Sequence, residues 1–282
     1  MLAINLHGRT AVETGNYLKV VVIIRKDKPK HVHIVSCAAV DGTPDTWKFS
    51  TRLHCLELFA GKGRASEYYA SRGGESKRIG LPYGHDLKVK SVREFTSKIV
   101  KSTDPLCTVV SPPYMPWVNN DVKYERWEKK DAERELWRPT LRWLAKLMEE
   151  RISAGRDVVF VQPKSSEMLD EPYLKRVLDK MNKVSLDQCT VGLRCPETEA
   201  PIKKPTWLYT TSDNVAERMS SDCEYITRHR TIEGNVKSGD RTMSLSKYCE
   251  DFPQAMAQGI VMVLIRIQTE RSNGANFDKC ED

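Results

Sequence analysis

Two short segments of this chain combine residue types that can do chemistry. The first is Leu56-Glu57-Leu58-Phe59-Ala60-Gly61-Lys62-Gly63, where an apolar run ends in two glycines and a helix-forming stretch follows. A turn without Cβ atoms lets a ligand approach the backbone closely, and the next helix offers unpaired N–H groups at its start. The second is Ser111-Pro112-Pro113-Tyr114, about fifty residues further on. Paired prolines fix the backbone and donate no hydrogen bonds, so the Ser111 and Pro112 carbonyls can face an amino group while the Tyr114 ring offers a stacking surface for a planar base. The plainer alternatives are a glycine turn used only for its geometry and a rigid loop with Tyr114 packed inward.

The elements that must hold these segments alternate. His54 to Phe59 reads as a short buried strand, Arg64 to Arg72 as a helix closed by Gly73 and Gly74, and Val92 to Lys101 as a helix before the strand Leu106 to Val110. A long amphipathic helix, Ala132 to Ser153, carries Trp137, Leu141, Leu144, Met148 and Ile152 on one stripe, with Pro139 marking a kink or a first turn. The strand Asp157 to Val161 and a helix from Pro172 to Met181 follow, and Pro253 to Ile267 is predicted helical on its apolar spacing, a strand being the alternative. Repeated βα units imply a largely parallel α/β sheet covered on both faces, with ligands at the carboxyl ends of its strands. Ahead of it, Leu18 to Arg25 and His31 to Val40 read as a hairpin, and Asp41 to Thr51 as a linker.

The succession LELFAGKG and SPPY resembles the cofactor-binding and catalytic motifs of class I S-adenosylmethionine-dependent methyltransferases, particularly those acting on DNA bases. The LFAG form is similar to cytosine carbon-5 enzymes and SPPY to enzymes that methylate the exocyclic amine. Carbon-5 chemistry needs a cysteine where Tyr114 stands and an acid where Gln162 stands, in Val161-Gln162-Pro163, so the resemblance points to an amine. It implies a Rossmann-like class I methyltransferase sheet with helices on both faces over residues 53–268, a small N-terminal β extension and linker over 1–52, and a polar tail over 269–282. It further implies that S-adenosylmethionine is bordered by Glu57, Phe59, Ala60, Gly61, Gly63 and Asp86, and that the target amine meets Ser111, Pro112, Pro113 and Tyr114. Glu57 can equally be a buried polar residue held by its neighbours, and Asp86 an ordinary helix cap. The chain departs from the pattern at Lys77-Arg78-Ile79-Gly80-Leu81, where a ribose-binding carboxylate is expected.

The C-terminal half, through VFVQPKSSEM, Lys204-Pro205-Thr206 and the segments Cys189 to Pro205 and Cys223 to His229, resembles a methyltransferase-like domain of some retrotransposon-derived polyproteins. It lacks that group's cysteine after the paired prolines and its Glu-Asn-Pro motif. The resulting expectation is a methyltransferase acting on an exocyclic amine of a nucleic-acid base; the alternative is an inactive methyltransferase fold of a mobile element or virus, used for nucleic-acid binding or assembly.

Composition narrows the partners. A hydrophobic content of 40% with 29% charged residues describes a globular chain, and the longest apolar run, Gly259 to Ile265, is too short to span a bilayer, so no membrane partner and an intracellular location are expected. The net charge of +7 suits a polyanion, although basic and acidic residues are interspersed. Lys26 to Lys30, Lys203 and Lys204 are candidate phosphate contacts. Trp117, Tyr124 and Trp127 are candidate stacking surfaces, with Arg126, Lys129 and Lys130 adding charge nearby. Eight cysteines without a secretory signal read as free thiols or metal ligands. Cys189 with Cys195, and Cys223 with His229, supply four zinc-type donors, but their five-residue gaps are wider than the usual two to four, and buried thiols are the simpler expectation.

Overall fold

In the computed structural model, residues 52–118, 125–224 and 228–277 are described, together with four strands among the first forty residues. The chain divides into two units, Met1–Ser50 and Thr51–Asp282. The first is an antiparallel sheet in chain order: β1 (Ala3–Leu6), β2 (Arg9–Glu13), β3 (Lys19–Ile24) and β4 (Val32–Ala38). The expected hairpin is β3 with β4, pairing Val20 with Cys37 and Ile24 with Val32 around a register shift between Val21 and Val22. Strands β1 and β2 carry too few residues for a periodic signal. The linker expected over Asp41 to Thr51 lies outside the described residues.

The second unit is an α/β fold around a mainly parallel six-stranded sheet. Its strands are β5 (Cys55–Leu58), β6 (Ser76–Ile79), β7 (Cys107–Val110), β8 (Asp157–Pro163), β9 (Asn182–Asp187) and β10 (Pro205–Thr210), in the order β6-β5-β7-β8-β10-β9. Strands β5, β7 and β8 are buried along their whole length, as strands between two helical layers must be. They run parallel to one another and to β6, whereas β10 is antiparallel to both β8 and β9.

One helical layer holds α1 (Arg64–Ser71), α5 (Asp213–Met219) and α7 (Gln254–Phe277); the other holds α2 (Lys90–Thr103), α3 (Glu125–Ser153) and α4 (Pro172–Leu178). Tyr69, Val215, Met256, Ile260 and Leu264 press the first layer onto Val109, Val159 and Leu208 of the sheet. Helix α3 starts earlier than its apolar stripe predicts and runs through Pro139. Helix α7 continues past the expected boundary at residue 268, so residues 269–277 are helical and not a tail. Arg266 and Glu270 pair along it, and Arg271 reaches the buried Asp157 at 2.9 Å. A hairpin, β11 (Asn235–Ser238) with β12 (Arg241–Ser244), and the short α6 (Leu245–Tyr248) precede α7.

Candidate functional site

Leu58 and Val110 are paired in register at the carboxyl ends of β5 and β7, so the glycine turn and the SPPY loop leave the sheet side by side. Together they line a cleft of about 510 Å³. At the end of β5 the backbone of Phe59 takes a φ of +57°, a left-handed conformation that costs a bulky residue roughly 1–3 kcal/mol and that clusters at functional sites. Gly63 caps α1 with a φ of +69°, and a Cβ there would meet Arg78 Cδ at 2.8 Å and the Tyr83 hydroxyl at 2.9 Å. The positive φ is what calls for glycine here, while the crowding comes from side-chain ends that would have to move aside.

Glu57 points from β5 under the first turn of α1, where its Oε2 accepts hydrogen bonds from the Ser66 N–H and the Ser66 hydroxyl, both at 2.8 Å. Burial pushes its pKa up, while the Ser66 bonds and nearby Arg78 pull the other way. It is thus a buried residue held by its neighbours that also lines the cleft. Ala60 lies behind the turn, its N–H bonded to the Ile79 carbonyl, and is not among the lining residues. Asp86 is not among them either. Its Oδ1 accepts from the Lys88 N–H at 2.9 Å, the bond of a turn leading into α2.

The expected carbonyl acceptor of Pro112 already has one partner, Gln162 Nε2 at 2.7 Å, while Gln162 Oε1 is buried with no partner among the described residues. Tyr114 is half-buried, with the Lys204 ammonium 4.9 Å from its ring centroid, so one face is taken by a cation. Burial and the Glu250 carboxylate push the Tyr114 phenol up to about 12. Lys204 is itself buried and donates to the Cys249 carbonyl; desolvation lowers its pKa to about 8. It is a support inside the protein, not the solvent-facing phosphate contact expected. Trp117 also departs from expectation, being fully buried with its indole N–H directed at Glu171 at 3.4 Å. Tyr124 and the side chain of Trp127 lie outside the described residues.

The far wall comes from a segment that sequence reasoning passed over, Lys247 and Glu250 to Phe252. Asp251 accepts the Lys62 N–H at 3.1 Å and pairs with its ammonium at 3.8 Å, and a Cβ on Gly61 would sit 2.1 Å from its Oδ1. Arg64 donates to the Phe252 carbonyl. No local signal marks these residues, which reach the cleft only because α7 folds back over α1.

Of the four zinc-type donors, Cys189, Cys223 and His229 converge, and Cys195 does not. Cys195 lies among Leu193, Ile202, Val236 and Leu245 in a separate apolar cluster. Among the described residues no helix is long and apolar enough to cross a membrane. The chain matches no known protein family, and no curated protein is similar to it in sequence.

Proposed function

We propose that this chain is an S-adenosylmethionine-dependent methyltransferase-like protein whose substrate is an exocyclic amine of a nucleic-acid base. One observation carries the reading: the glycine turn after β5 and the SPPY loop after β7, fifty residues apart, open into one cleft of ligand size at the carboxyl edge of a parallel sheet. The sheet order supports it, since the reversed β10 inserted between β8 and β9 resembles a methyltransferase sheet one edge strand short.

The cofactor supplies an electrophilic methyl group. The bare backbone of Gly61 and Gly63 and the cleft volume fit it at the turn, but the end of β6 offers Arg78, stacked on Tyr83, where a ribose carboxylate would serve. The chain's own residues would act by alignment. The Ser111 carbonyl and the second lone pair of Pro112 accept the amine hydrogens, Gln162 holds that carbonyl in place, and Tyr114, backed by Lys204, presents its other face to a base taken out of its stack.

Asp251 favours a second reading, a fold that has left catalysis for nucleic-acid binding or assembly in a mobile element or virus, because its carboxylate sits where a ligand carboxylate would meet the Lys62 N–H. Calorimetric titration with S-adenosylmethionine separates the two. Binding by the wild type that is lost in Gly61→Asp, which sets two carboxylates together, and kept in Tyr114→Ala supports the enzyme. No binding at near-millimolar cofactor, weaker than roughly 4 kcal/mol, by either the wild type or Asp251→Ala supports the retired fold.

A further inference from the structure

Six cysteines are described, and they fall into two kinds. Cys55 and Cys107 lie in the main core, and Cys195 and Cys249 in the cluster around Leu193 and Leu245, where a thiol serves as a small apolar group. Cys189 and Cys223 belong to neither cluster. They face each other and His229, with the two sulfurs and a ring nitrogen all within 4.8 Å of one another and Cys223 Sγ 3.3 Å from His229 Nε2. Zinc bonds of about 2.3 Å to sulfur and 2.0–2.1 Å to nitrogen, at tetrahedral angles, put donors about 3.5–3.8 Å apart. The three side chains already have nearly that spacing.

We propose that Cys189, Cys223 and His229 bind a zinc ion, with solvent in the fourth position. The backbone around each donor is anchored independently of any ion, as a metal site with a fixed outer shell requires. Asp187, at the end of β9, accepts the Cys223 N–H at 2.9 Å and pairs with Lys203 at 3.3 Å, and its own carbonyl accepts the Thr190 hydroxyl at 2.8 Å beside Cys189. The Arg230 N–H bonds the Pro201 carbonyl at 2.9 Å and so fixes the chain next to His229. Two thiolates and a neutral imidazole balance the charge of one divalent ion, and this donor set selects zinc over magnesium or calcium. The bound ion ties the end of β9 to the segment after α5, beside the stretch that carries Lys204 to Tyr114.

The test uses the full chain, reduced and dialysed against zinc, with elemental analysis and then cobalt substitution. About one zinc per chain and a sulfur-to-cobalt charge-transfer band are expected. Cys223→Ser or His229→Ala should weaken zinc binding at least about 100-fold, while Cys195→Ala leaves it unchanged. A folded, reduced wild type that retains no zinc and gives no such band overturns the proposal without recourse to any variant. Equal loss in Cys195→Ala overturns the choice of ligands.

Discussion

The two walls of the cleft are built over different chain distances. On the glycine side the shaping bond joins Glu57 to Ser66, nine residues apart; on the SPPY side the bonds join Pro112 to Gln162 across fifty residues and Cys249 to Lys204 across forty-five. The first wall is at its base a local βα unit, to which Asp251 and Phe252 add bonds with Lys62 and Arg64 from nearly 190 residues away. The second exists only once β8, β10 and the approach to α7 are in place. A change on the first side should therefore act through local geometry, and one on the second through burial and charge.

The largest expected effect is on the local side. A Cβ at Gly80 would lie 2.2 Å from the Ala60 carbonyl oxygen and 2.8 Å from its nitrogen, backbone atoms that cannot swing away. Gly80→Ala should cost about 3 kcal/mol or more in urea unfolding, and a cost under about 1 kcal/mol would show that the turn yields. Next comes Lys204. Its folded pKa of about 8 lies below the ordinary 10.5, so between those values the unfolded chain holds a proton that the folded one has released. Stability should rise with pH across that window by roughly 3 kcal/mol and the penalty be fully present below it. Lys204→Met should flatten this rise, and an unchanged slope would place its source elsewhere.

Glu57→Ala leaves the buried Ser66 N–H without its acceptor and the Ser66 hydroxyl with the Gly63 carbonyl alone, and should cost about 2 kcal/mol by thermal or denaturant unfolding. A neutral result would mean that the Ser66 hydroxyl, already 2.9 Å from the Gly63 carbonyl, suffices for that turn. The smallest effect is expected for Gln162→Leu, which removes one made bond and one unsatisfied acceptor together and should stay within about 1 kcal/mol. If catalysis is present, that variant should lose rate while keeping cofactor affinity, because it frees the Pro112 carbonyl to turn.

The same division of distances explains what could be read in the sequence. Strands β5, β7 and β8 and helices α1, α2 and α4 were legible because each carries a mainly apolar run, or a helix-length stretch, bounded by Gly, Pro or charge. Strand β6, Ser-Lys-Arg-Ile, has a single buried residue, and β9 begins with Asn182 and Lys183 exposed, so neither carries a period. In the site, Gly61, Gly63, Tyr114 and the Ser111–Pro113 backbone were found by type and spacing. Asp251 was not, since nothing near it in the chain announces a partner 189 residues away. Asp86 and Trp117 were chosen for what their side chains can do, but hydrogen bonding and burial decided their places.

The position of β10 has a consequence for how the molecule is made. In the finished sheet β9 is an edge strand laddered to β10, with Ser221 bridging its outer side at Leu186, and β10 also covers the open side of β8. On the ribosome β8 and β9 both emerge before β10, so the edges that β10 joins have no partner on the nascent chain until residues 205–210 slot between them. Synthesis paused in that interval exposes the chain to pairing with its neighbours, so the strand that completes the sheet also ends its period of greatest risk of aggregation.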